Sequence, residues 1–318
     1  MQEMILIHKE RMGQMKDYTW YLKRLEKPKG IVDVVIDTDA FNEIDDQFAI
    51  VYALKSTERL NVKAIFAAPF LNKNSISPED GMLKSYDEIV KILSIMKKDE
   101  LIGNTYKGSS DFLKNETSPI ESDAAIKLVE LARKQDSENP LYVISIGAIT
   151  NIASAILMDN TIIDKIVVVW LGGHSHSWHD NKEFNLRQDI AAARIIFGSG
   201  VPLIQLPCQG VVSEFLTTAP ELEYWFKGKN DISDFLFHAT VAEGTKYEKV
   251  ETWSRTIWDV TAVAWLIDGD FMYDRILPSP IPEYDHHYAF DYGRHPMKYV
   301  YGIKRDNLMQ SLVDKITR

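Results

Sequence analysis

The chain has 318 residues, with 46 acidic against 36 basic side chains and a formal net charge of −10. That length allows two domains or one large α/β domain, and a hydrophobic content of 45% excludes a mostly disordered chain. The acid excess argues against a surface built for nucleic-acid phosphates, and the single cysteine, Cys208, excludes an internal disulfide and a cysteine-based zinc ribbon.

Residues 1–29 read as a polar helical extension that ends at the breaker run Lys27-Pro28-Lys29-Gly30. The charged and titratable residues His8, Lys9, Glu10, Arg11, Lys16, Lys23 and Arg24 leave no apolar core of signal-peptide length. No later stretch approaches the roughly 20 apolar residues of a membrane helix. A reducing, cytoplasmic setting without membrane contact is the expectation. Tyr18, Tyr21 and Leu22 could pack on the main domain or on a second subunit.

From residue 31 onward, short β-branched runs alternate with longer helical stretches. A strand at 31–37 leads into a helix at 43–55; a strand at 62–68 precedes helices at 78–97 and 122–134. Strands at 141–146, 165–171 and 202–206 alternate with helices at 151–158 and 189–197. Residues 210–257 read as a mostly helical insertion or cap, followed by a helix at 258–268 and a strand at 298–303. Runs such as Ile166-Val167-Val168-Val169-Trp170-Leu171 are apolar throughout, as strands covered on both faces require. The pattern predicts one α/β domain over 30–318, with an open, mostly parallel central sheet flanked by helices. Ligands of such sheets bind beyond the carboxyl ends of the strands.

The segment after the first strand carries the chemistry. Asp37, Asp39, Glu43, Asp45 and Asp46 fall within ten residues. Asn42 is a candidate helix N-cap, which would put Asp45 and Asp46 in a first turn, where the helix dipole favours negative charge. Consecutive helical side chains point about 100° apart, so one of this pair can face a metal while the other faces a substrate hydroxyl. Asp37 and Asp39 repeat on one side of the strand end. So many carboxylates repel one another unless protons or a hard, oxygen-seeking cation intervene, which means Ca²⁺ or Mg²⁺. The alternative is a solvated helix start with ordinary capping acids.

This Asp-Thr-Asp…Asp-Asp segment resembles the nucleoside hydrolase family, the inosine-uridine preferring N-ribohydrolases. Gly147-Ala148-Ile149-Thr150-Asn151-Ile152-Ala153, Glu183-Phe184-Asn185 with Asp189, and Trp258-Asp259-Val260-Thr261 are similar to further family segments in the same order. The resemblance covers about residues 31–310. It implies Ca²⁺ held by Asp39, Asp46, Asp259 and the backbone carbonyl of Ile146, with Asp39 also the general base for a water on the cation. It implies a ribose held by Asp45, Glu183 and Asn185, with Asn72 nearby and Asp37 as support. A small-molecule nucleoside substrate, a homo-oligomer (dimer or tetramer) and a role in nucleoside salvage follow from the same likeness. Two departures stand out: the longer spacing between Asp39 and Asp45, and Trp258 where members commonly carry a histidine near the leaving base.

Such a site suits N-glycoside cleavage, which passes through a ribosyl-cation-like transition state and needs an activated water and an oriented sugar. Trp258 could stack on the base, and His174, His176 or His179 could protonate it. The same three histidines could form a polar rim or, on a weak spacing, a zinc site. His286, His287 and His295 read as surface residues, and Cys208 as a buried structural thiol. Two other functions fit less of the pattern. One is a Ca²⁺-dependent nucleoside- or ribose-binding protein without turnover; the other is a haloacid-dehalogenase-like phosphatase using Asp37-Thr38-Asp39.

Overall fold

The computed structural model describes residues 16–136, 138–247, 250–267 and 269–318. The first fifteen residues of the expected extension lie outside them. Its visible part is helix α1 (Tyr18–Arg24), whose start is capped by the Asp17 carboxylate accepting from the Trp20 N–H.

The apolar runs form strands where the pattern places them: β1 (Val32–Thr38), β2 (Leu60–Ala67), β4 (Leu141–Ser145), β5 (Ile166–Leu171), β6 (Leu203–Leu206) and β12 (Pro296–Ile303). Sequence reading missed β3 (Thr105–Lys107), too short to carry a pattern, and β9 (Met272–Pro278), which is only partly buried. These eight make one sheet in the order β3-β2-β1-β4-β5-β6-β12-β9. Every neighbouring pair is parallel except β12 with β9.

Alternation along β1 shows how the sheet is covered. Val34 and Ile36 face one apolar layer, with α2 (Asp45–Leu54), α10 (Val260–Leu266) and α11 (Arg305–Thr317). Val35 faces the other, with α4 (Asp123–Arg133), α5 (Thr150–Met158) and α7 (Ile190–Gly198). The remaining long helix before β3 is α3 (Pro78–Ile95), and the five-residue α6 (Phe184–Gln188) precedes α7. Residues 210–257 are less uniformly helical than expected. Helices α8 (Ala219–Phe226) and α9 (Asp231–Tyr247) sit between β7 (Leu216–Thr218) and β8 (Ser254–Thr256), which pair antiparallel. A further two-stranded pair is β10 (Ile281–Pro282) with β11 (Tyr288–Ala289).

Two expectations need correction. Asn42 is not the cap of α2: the helix begins at Asp45, its N-cap is Ile44, and no side chain caps it. The loop instead turns early, where the Asn42 N–H donates to the Asp39 carbonyl at 2.7 Å. His295 is not on the surface. It is buried and stacks on Tyr21 of α1, with ring centroids 5.7 Å apart, so α1 covers it.

Candidate active site

The carboxyl ends of β1, β4, β5 and β6 open into one cavity of about 200 Å³. Asp39, Asn42, Glu43, Asp45 and Asp46 line it from the β1–α2 side, and Ile146 from the end of β4. Leu171, His174, Lys182, Glu183, Phe184 and Asn185 come from β5 and the loop that follows it. Cys208, Gln209, Trp258 and Asp259 complete the wall.

Asp45, Asp46 and Asp259 each offer a carboxylate oxygen, and these atoms lie within 4.8 Å of one another. Asp39 lines the same cavity outside this tightest trio. All four are buried. Burial first, then mutual repulsion, pushes the carboxyls of Asp39, Asp45 and Asp259 well above the usual range. The Asp46 carboxyl rises to about 7 for want of solvent, against hydrogen bonds from Thr38 and Asp259. The Asp39 Oδ2 is buried with no hydrogen-bond partner. An orphaned carboxylate oxygen beside three crowded carboxylates is what a hard cation with oxygen ligands would satisfy. The residues present fit such an ion.

The wall formed by Glu183 and Asn185 is tightly wired. Glu183 caps α6: Oε1 accepts from the Asn185 N–H at 2.8 Å, and Oε2 from Gly173 and Leu186, each at 2.8 Å. Asn185 gives its Nδ2 to the carbonyls of Leu171 at 3.0 Å and Ile146 at 3.3 Å. Its Oδ1 therefore stays available to a hydroxyl. Gly173 has φ +76°, and a Cβ there would fall 2.1 Å from the Tyr288 hydroxyl, so only glycine lets this turn close.

The motif residues outside the cavity are braces. Asp37 is fully buried behind Asp39; Asn151 donates to its Oδ1 at 2.8 Å and Ser145 to its Oδ2 at 3.2 Å. Burial raises the Asp37 carboxyl to about 7, opposed by those two donors. Thr150 donates to Asp189 at 2.8 Å, and Asp189 also accepts from the Leu113 and Ala192 N–H groups. Gly147 allows β4 to approach Asp39 closely: a Cβ there would lie 3.2 Å from the Asp39 nitrogen.

Asn72 does not line the cavity. Its amide nitrogen donates to Asn42 Oδ1, and Asn42 does line it. The three loop histidines separate. His174 lines the cavity, and its Nδ1 accepts from the Gln209 N–H at 3.3 Å, which fixes the proton on Nε2. Burial lowers its pKa, so it is neutral at pH 7. His176 is packed among Tyr288, Phe290 and Tyr299 with Nε2 on Gln205, and the side chain of His179 is exposed. Sequence reading missed Gln209 and Lys182 as wall residues. It read Cys208 as a core thiol, yet the same side chain reaches the cavity and contacts Glu183. The one available signal was position: Cys208 and Gln209 follow the end of β6.

A mostly parallel sheet with an acid-lined cavity at its carboxyl edge, walled by a Glu-Phe-Asn turn, defines a hydrolase acting on N-glycosyl bonds once its relatives are considered. The family model described as "Inosine-uridine preferring nucleoside hydrolase" matches residues 34–295, and the chain belongs to that family. Pyrimidine-specific ribonucleoside hydrolases from Salmonella typhi and Salmonella paratyphi B are each 26% identical over 266 residues, covering 74% of this chain and 79% of theirs. Among solved structures, a plant nucleoside hydrolase superposes with a TM-score of 0.73 at 19% identity, covering 90% of this chain and 99% of that one. A purine-preferring ribonucleoside hydrolase from Gardnerella vaginalis gives 0.73 at 20%, covering 90% and 98%. Family membership sets aside the phosphatase reading. Among the described residues, no helix is long and apolar enough to cross a membrane.

Proposed function

We propose that the protein hydrolyses the N-glycosidic bond of a ribonucleoside, giving ribose and a free base, in a Ca²⁺-dependent reaction. The observation that carries this reading is the convergence of Asp39, Asp45, Asp46 and Asp259 with Ile146, Glu183 and Asn185 on the lining of one cavity. Asp39, Asp46, Asp259 and the Ile146 carbonyl would hold the cation. When bound, Ca²⁺ supplies charge neutralisation, a template for the sugar oxygens and a more acidic water.

The chain's own groups do the rest. Asp39, with one oxygen unpartnered, takes the proton from the attacking water. Asp45 and Asn185 Oδ1 accept from ribose hydroxyls and fix the ring, which places C1′ before the water. Glu183 adds a hydroxyl contact at its rim while its oxygens hold the turn. Asn72 acts through Asn42. Trp258, half-buried at the mouth, stacks on the base, and the His174 Nε2–H donates to the substrate. The relatives include enzymes named for pyrimidine and for purine preference, so base choice rests on mouth residues such as these two. A cytoplasmic homo-oligomer active in nucleoside salvage suits the family and the lone buried thiol.

The test is a panel of purine and pyrimidine nucleosides with Ca²⁺, read as reducing sugar released. Asp39→Asn should lose about 10³-fold or more in kcat, the combined scale of a general base and a cation ligand. Saturable nucleoside binding without release from any member of the panel would overturn the hydrolase reading in favour of a binding protein.

A further inference from the structure

A second cavity lies at the opposite end of the sheet. It is a groove of about 550 Å³ between the end of α1 and the amino ends of β1 and β4. Lys23, Arg24, Lys27 and Lys29 line it together with Pro140 and Tyr142. Arg24 is only 6% exposed, yet its Nη1 has no hydrogen-bond partner, and among the described residues no carboxylate pairs with it. The guanidinium lies over Trp20, 5.3 Å from the ring centroid, which braces one face and leaves Nη1 without a partner. The acids nearby are engaged: Glu138 with Lys23, and Asp33 with Asn61, Lys63 and Gln135. Glu26 is exposed at the rim.

A buried cation without a paired anion is costly in any fold. Burial accordingly lowers the Arg24 pKa, with Tyr142, Glu138, Asp164 and Asp136 only partly offsetting it. A buried guanidinium lining a groove with further lysines suits a multiply charged planar or tetrahedral anion. The groove's volume leaves room for what such an anion is attached to.

We infer that this groove binds a phosphate group, carried as the free ion or as a phosphomonoester, with Arg24 as its buried anchor. The site is separate from the nucleoside cavity, and its test needs no turnover. Equilibrium dialysis of the full-length protein against inorganic phosphate and against a pentose phosphate ester distinguishes the two sources. Saturable binding of either supports the site and names the form it takes. Thermal melts give the second readout. Phosphate at ten times its Kd should raise the wild-type Tm by about 2 °C for a chain of this size. Arg24→Met should lose that rise while melting no lower than wild type in anion-free buffer, because it removes an unpaired buried charge. Arg24→Lys, which keeps charge but not the fork, should weaken binding about fivefold or more, and it serves where Arg24→Met does not fold. No saturable binding of either ligand by wild type, an equal phosphate-induced rise in Arg24→Met, or the same response to acetate would each overturn the inference.

Discussion

Replacing Gly147 by alanine tests how closely the turn after β4 must approach Asp39, the proposed general base. The new methyl would sit 3.0 Å from Ala68 Cβ, 3.2 Å from the Asp39 nitrogen and 3.3 Å from the Asp39 Cγ. Comfortable contact between carbons begins near 3.5 Å, so something must move by a few tenths of an ångström. Ala68 is pinned through its N–H on the Thr38 carbonyl at 2.8 Å, and the Asp39 carbonyl is held by the Asn42 N–H. The Asp39 carboxylate is the softer group, since its Oδ2 has no partner. Overpacking of this kind costs about 1–3 kcal/mol. At about 2.1 cal/mol/K per residue, that is a drop in Tm of roughly 1.5–4.5 °C. Displacing the proposed general base should cost about 10- to 100-fold in kcat. Steady-state kinetics and calorimetry read both. Because the proposed loss runs through Asp39, Gly147→Ala should cost little further in an Asp39→Asn background. Wild-type kcat/KM in Gly147→Ala, or losses that multiply in the double variant, would refute the reasoning.

Three further outcomes are expected. Asp259→Asn should melt at the same or a higher temperature than wild type in chelator, since it thins a cluster of buried like charges, and should lose the Tm rise that Ca²⁺ gives wild type; an undiminished Ca²⁺ response would argue against Asp259 as a ligand. Asn151→Ala strips Asp37 of a 2.8 Å donor and Ser109 of its acceptor, all buried, so calorimetry should show a loss of about 2–5 kcal/mol. Stability should also depend on His295, which burial holds at about 4, against about 6.5 when unfolded. The unfolded chain then binds more protons between those values. The histidine's contribution is complete above about pH 6.5 and is lost as pH falls towards 4, with a slope of up to about 1.4 kcal/mol per pH unit. His295→Phe, which keeps the stack on Tyr21, should flatten urea-unfolding curves compared across that range; unchanged slopes would contradict it.

What could be read from the chain alone follows from how far each signal reaches. The six strands read from the sequence announce themselves through apolar runs, continuous in β5, which cover on both faces favours. The β9 edge strand, only one of whose seven residues is buried, has no such obligation. The acid cluster was legible because Asp39, Asp45 and Asp46 are neighbours in sequence, and because burying them needs a reason. Details that depend on partners far along the chain were not. Asn42 looks like a cap until Asn72 occupies its side chain. His295 looks like a surface residue until Tyr21 covers it. The three loop histidines are alike in sequence, and only the Gln209 N–H and the Tyr288–Tyr299 packing tell them apart.

The joining of Asp39 to Asp259 in one cavity has a consequence for how the protein is made. Three of the four carboxylates leave the ribosome early, and the fourth follows only after most of the chain. At about 5–20 residues per second, roughly 10–45 s pass between them. During that time the β1–α2 loop has neither its closing helix α10 nor a finished cavity, and it carries its negative charge in water. Translation thus sets the earliest moment at which a cation can be captured, and the ion would serve as a late fastener on an otherwise assembled sheet.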